Sequence, residues 1–122
     1  MTKNEVENLI KRYCYVSEAI EKGLSTAKFY IGNRKKVVNI TEEVIKVCEL
    51  IVLIYESETD EDIKNMIKYI LEGRSDVNII GVLPFEKNSY YSRKDAFFQK
   101  VYDCCISKNL VSFEEILKER IA

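Results

Sequence analysis

Apolar residues recur at helical spacing along most of this chain. Val6, Leu9, Ile10, Tyr13, Val16, Ile20 and Leu24 return every three or four residues with Glu and Lys between them, which predicts one amphipathic helix ending near Gly23. The stretch from there through Asn39 reads as a polar, basic connector turning at Gly32-Asn33, with a short helix around Thr26 to Ile31 as the alternative. Thr41 is a good N-cap for a second long helix. Glu42 and Glu43 suit its positive dipole end, and Ile40 can pack back on Ile45. The run LIVLIY within residues 44–55 is apolar all round, so it suits either a buried helix or a core strand; the cap and the length favour helix. After the acidic SETDED segment, Thr59 can cap a helix with Ile63, Met66, Ile67, Ile70 and Leu71 as its apolar stripe.

That helix stops at Glu72-Gly73, because glycine tolerates the left-handed conformation that helix ends commonly need. Ser75 caps a short helix whose apolar side is Val77, Ile79, Ile80 and Leu83. Pro84 ends it, since proline breaks the hydrogen-bond ladder and pushes its predecessor out of the α region, so the turn falls at Leu83 to Lys87. The next helix changes character along its length. Asn88, Ser89, Tyr91, Ser92, Arg93, Lys94 and Asp95 fill its first turns, whereas Phe97, Phe98, Val101, Tyr102, Cys104, Cys105 and Ile106 fill its last. Tyr90, Phe97, Val101 and Cys104 share one face and anchor the rod, which leaves its leading end projecting. Asn109 marks its end, and Ser112 to Glu115 is a capping box for a last helix.

Only one Pro and four Gly leave few turn residues for a many-stranded sheet, so the expected fold is mostly α, a helical domain with a C-terminal helix-turn-helix. Residues 1–58 form an N-terminal helical half for packing, dimer or polymerase contact. Residues 59–122 hold the helix-turn-helix and the last helix, in one unit with the first half. No secretory pattern and no membrane-length apolar run is visible, which predicts a cytoplasmic protein without a membrane partner. Cys14, Cys48, Cys104 and Cys105 show no C-x-x-C spacing and the chain has no histidine, so no metal site and no cofactor are expected. Adjacent Cys104 and Cys105 are candidates for redox sensitivity. The absence of a P-loop, a G-x-S-x-G step or a dinucleotide fingerprint argues against an enzyme.

A formal charge of −1 argues against indiscriminate nucleic-acid binding, but the charges are unevenly spread. Lys28, Arg34, Lys35 and Lys36 occur together without an acid, and Arg74, Lys87, Arg93, Lys94 and Lys100 cluster around the last helices. Glu56 to Asp62, by contrast, holds five acids and no base. The acidic run suits a solvated helix cap better than a calcium loop, because it lacks the loop's Gly and terminal Glu.

Over Tyr69 to Val101 the chain resembles the helix-turn-helix of sigma-factor region 4, at Glu72, Gly73, Ser75, Ile79, Ile80, Leu83, Phe85, Ser89 and Tyr90. The Leu-Pro turn followed by Tyr90, Tyr91, Ser92, Arg93 and Lys94 also resembles phage and prophage transcriptional regulators of the ArpU and RinA type. Pro84 stands where sigma-like domains usually have Gly, so the turn geometry should differ there. The resemblance implies a sequence-specific DNA-binding regulator that activates late genes, with double-stranded DNA as partner. For a sigma-like member it also implies RNA polymerase as a second partner. A homodimer would match paired half-sites.

The expected DNA-binding residues are Lys87, Asn88, Ser89, Tyr91, Ser92, Arg93 and Lys94, with Arg34, Lys35 and Lys36 as a second basic group. Each has a plainer reading. Tyr91 serves equally as a core aromatic, the polar helix positions as a solvated helix end, and Arg34 to Lys36 as a solvated loop. Two other classes stay open: a helical module that binds a sigma subunit or polymerase without touching DNA, and a small α/β enzyme or sensor built on a LIVLIY strand.

Overall fold

A computed structural model describes residues 1–121 and the side chains of all of these except 113 and 119–121. Among the described residues the chain is mostly helical, with one small sheet. The order is α1 (Lys3–Lys11), α2 (Tyr13–Glu21), β1 (Thr26–Ile31), β2 (Arg34–Asn39), α3 (Glu42–Ser57), α4 (Glu61–Leu71), α5 (Asp76–Val82), α6 (Lys87–Ser107) and α7 (Phe113–Ile121).

The first departure from expectation is at Arg12, where φ −110° and ψ 16° divide the predicted N-terminal helix into α1 and α2. The apolar spacing runs through this joint unchanged, because a one-residue kink alters direction and not phase. Direction is what matters for packing. α1 lies against α3, α4 and α6, while α2 lies against the sheet and α3. Leu24 falls beyond the end of α2 and is exposed.

The basic connector is a β-hairpin, which overturns both the loop and the short-helix readings. β1 and β2 pair antiparallel from Thr26↔Asn39 to Ile31↔Arg34, with Gly32 at φ 60° in the two-residue turn. Gly at the first turn position suits hairpin closure. Alternation then buries Ala27 and Phe29 against α2, where Phe29 stacks on Tyr15 with ring centroids 4.9 Å apart, and leaves Lys28 and Tyr30 outside.

LIVLIY is helical, so the reading of an α/β protein built on a strand at this position does not hold. Thr41 caps α3 by accepting from the Val44 N–H at 3.2 Å, and Val44, Val47, Cys48, Ile51 and Ile54 are buried. Leu53 on the opposite side stays exposed. Asp60, not Thr59, caps α4, accepting from the N–H groups of Asp62 and Ile63. Glu58 in turn accepts from the Asp60 N–H at 3.0 Å, so the acidic run serves the start of the helix.

One continuous core joins both halves. Val6, Ile10 and Ile51 from the first half share it with Met66, Ile67, Ile79, Tyr90 and Val101 from the second. The start of the chain also binds α6 and the residues just after it: the Met1 ammonium donates to the Leu110 carbonyl at 3.0 Å, and Lys3 donates to Gln99 at 3.1 Å. Asn109, at φ 58°, closes α6, and the Ser112 hydroxyl accepts from the Glu115 N–H to open α7.

Candidate nucleic-acid interface

The candidate interface is built on α4, α5 and α6. Gly73 ends α4 at φ 82°, a conformation that side chains disfavour, and a Cβ there would lie 3.2 Å from the Cys14 sulfur. The positive φ calls for glycine, and the close Cys14 sulfur leaves little room for a Cβ. The chain then reverses, and Ser75 caps α5 by accepting from the Asn78 N–H at 3.2 Å. Leu83 is extended at ψ 153°, as a residue before proline should be, and α6 begins at Lys87 after the short link through Pro84. Ile79 is the buried anchor of α5, while Val77, predicted to lie on its apolar side, is 82% exposed. Residues two apart on an α-helix lie about 200° apart, so Val77 faces away when Ile79 faces inward.

One polar knot fixes α6 on α5. The Asp76 carboxylate accepts from the Tyr90 hydroxyl at 2.6 Å and from the Lys94 ammonium at 2.9 Å, both through Oδ1. Tyr90 is fully buried apart from this contact, and Lys94 is half-buried, its ammonium 5.5 Å from the centre of the Phe98 ring. Burial alone would push the Asp76 carboxyl up. The two hydrogen bonds and the positive charges of Lys94 and Lys11 outweigh it, and the carboxyl is held below its usual range. Tyr90 is shifted the other way, well above an ordinary phenol, first by burial and then by its bond to Asp76.

Around that knot the first turns of α6 face solvent. Lys87, Asn88, Tyr91, Ser92 and Arg93 are exposed, and Ser89 is half-buried. Tyr91 packs edge-on against Tyr90 with centroids 5.2 Å apart yet stays 36% exposed, between its two sequence readings. Arg93 is pre-positioned: its Nε donates to the Ser89 hydroxyl at 3.1 Å and its guanidinium lies 4.5 Å from the centre of the Phe85 ring. Lys94 stands apart from the rest, because its charge is engaged by Asp76. Sequence reasoning passed over Asp76 itself. The available signal was an acid in the first turn of one helix with Tyr and Lys four residues apart on the next.

The second basic group divides. Arg34 pairs with Ile31 and Lys36 with Phe29, whereas Lys35 pairs with Tyr30, so Arg34 and Lys36 share the face of β1 that carries Phe29 and Lys35 is on the other face. Lys36 lines a groove with Arg12 and Phe29, and the Arg12 guanidinium lies 5.8 Å from the Phe29 ring centre. The hairpin therefore presents no single patch of three cations.

The cysteines are all free thiols. Burial pushes Cys48 up to about 12 and Cys105 up to about 11, which keeps both protonated and unreactive at neutral pH. Half-buried Cys104 is the more accessible of the adjacent pair. Among the described residues no helix is long and apolar enough to cross a membrane. No protein-family model, curated protein or solved structure matches the chain.

Proposed function

We propose that this protein is a sequence-specific DNA-binding transcriptional regulator, with α5 and α6 as a helix-turn-helix and the leading turns of α6 in the major groove. The observation that carries this reading is the division along α6. Lys87, Asn88, Tyr91, Ser92 and Arg93 are exposed at its start, while Phe97, Phe98, Val101, Tyr102 and Cys105 are buried farther on. Arg93 and Lys87 supply charge for phosphate or guanine, and Asn88 and Ser92 are short side chains at groove-contact positions. Lys94 takes a positioning role through Asp76, holding α6 at a fixed pose on α5. The resemblance to region 4 and to ArpU- and RinA-type regulators suggests late-gene activation with RNA polymerase as a second partner.

Binding to fluorescent duplex DNA over a KCl series tests the proposal. Affinity should fall with salt, and Lys87→Ala and Arg93→Ala should each weaken binding. Salt-independent binding, or variants equal to the parent, would refute it. A second reading, a protein-binding module, is favoured by one feature: α5 exposes two large apolar side chains, Val77 and Val82. Loss of a polymerase contact in Val77→Asp with DNA binding retained would assign that surface to protein.

A further inference from the structure

A cleft of about 310 Å³ opens where the end of α1 meets the start of α5 and the middle of α6. Lys11, Arg12, Arg74 and Lys94 line it, against the single carboxylate of Asp76. Arg74 is shared with Glu72 at 2.9 Å, and Lys94 with Asp76 at 2.9 Å. Lys11 and Arg12 form no ion pair among the described residues. Even counting Glu72, the cleft holds four cations and two anions in a chain whose net charge is −1, so the excess is local.

The cleft is continuous with the proposed reading face. Lys87, Tyr91 and Lys94 follow one another at intervals of four and three along α6, so one stripe leads from the exposed start of the helix into the cleft. Seven residues of helix rise about 10 Å, roughly three base-pair steps of duplex. Lys11 and Arg12 line the same cleft as Lys94, at the far end of that stripe. Arg12, the joint of α1 and α2, lines both this cleft and the hairpin groove, with its guanidinium 5.8 Å from the centre of the Phe29 ring.

We propose that this cleft seats a backbone phosphate of the bound DNA, held by Lys11 and Arg12 with Arg74 beside them. The seat rests on the DNA-binding reading above and extends it to the N-terminal half of the chain. It adds affinity without sequence preference, because phosphates are common to every duplex.

The test uses the full chain and a mixed-sequence fluorescent duplex over a KCl series, with Lys11→Gln, Arg12→Gln and Arg93→Ala. Lys11→Gln and Arg12→Gln should each weaken binding and lower the slope of log affinity against log salt by about one unit. Exposed Lys11 makes its variant safe for folding, and Lys11→Glu should weaken binding further. If the parent binds and Arg93→Ala weakens binding while the Lys11 variants keep the parental slope, the phosphate seat is overturned and the regulator reading stands. If the parent binds no duplex at any salt, both are overturned.

Discussion

The hairpin and the α5–α6 pair carry similar cationic sequence, and the fold treats them in opposite ways. In the hairpin, period-two alternation sends Arg34 and Lys36 to one face and Lys35 to the other, so adjacent charges do not add. In α6, helical spacing leaves Lys87, Asn88, Tyr91, Ser92 and Arg93 exposed together, and the Asp76 knot holds the helix that presents them. A run of charge in sequence is therefore weak evidence for a binding surface until the period of its element is known. The two regions are also anchored differently. Apolar burial of Ala27 and Phe29 holds the hairpin, whereas α6 is held by apolar burial plus charge-assisted hydrogen bonds.

Phe29→Ala should have the largest effect on stability, about 3 kcal/mol, since it removes a buried ring and its stack on Tyr15. Urea denaturation would measure it, and a loss below about 1 kcal/mol would mean that the hairpin is not docked as described. Asp76→Ala comes next. It strands the Tyr90 hydroxyl and the Lys94 ammonium, at about 2 kcal/mol, and should weaken DNA binding although Asp76 is an anion. A tighter complex in this variant would show that Asp76 acts only by repelling DNA.

The same carboxylate sets a pH dependence. Its pKa is lowered in the folded chain, so the stabilisation is complete above the ordinary Asp range near 4 and is lost as pH falls through the lowered value. Melting temperatures of the parent and Asp76→Ala should converge on acidification; a constant gap would contradict the knot. Gly73→Ala should cost about 1 to 2 kcal/mol through its positive φ, with the Cys14 contact adding to it. The smallest effect is expected at Lys35→Ala, with DNA affinity changed less than at Arg93→Ala. The reverse ranking would move the interface to the hairpin.

Much of the helical frame was legible in the sequence because its signals are local. Thr41 and Ser75 caps, the Gly73 stop, the Pro84 break and the Asn109 break all occur where side-chain chemistry requires them. The hairpin was missed although Gly32-Asn33 lies between Phe29-Tyr30-Ile31 and Val37-Val38, since the dense basic residues masked a period-two pattern of only six residues per strand. The break at Arg12 left no trace in the apolar spacing. Within the candidate site, the exposed residues of α6 could be read from composition. The Asp76 knot and the cleft beside Lys11 and Arg12 could not, because each depends on elements far apart in sequence meeting in space.

Amide chemical-shift mapping of the isotope-labelled chain on addition of duplex DNA tests the assignment of the reading face most directly. Shifts concentrated on residues 87–94, with residues 11, 12 and 74–78 following, are expected. Shifts confined to residues 26–39, or none at saturating DNA, would contradict it.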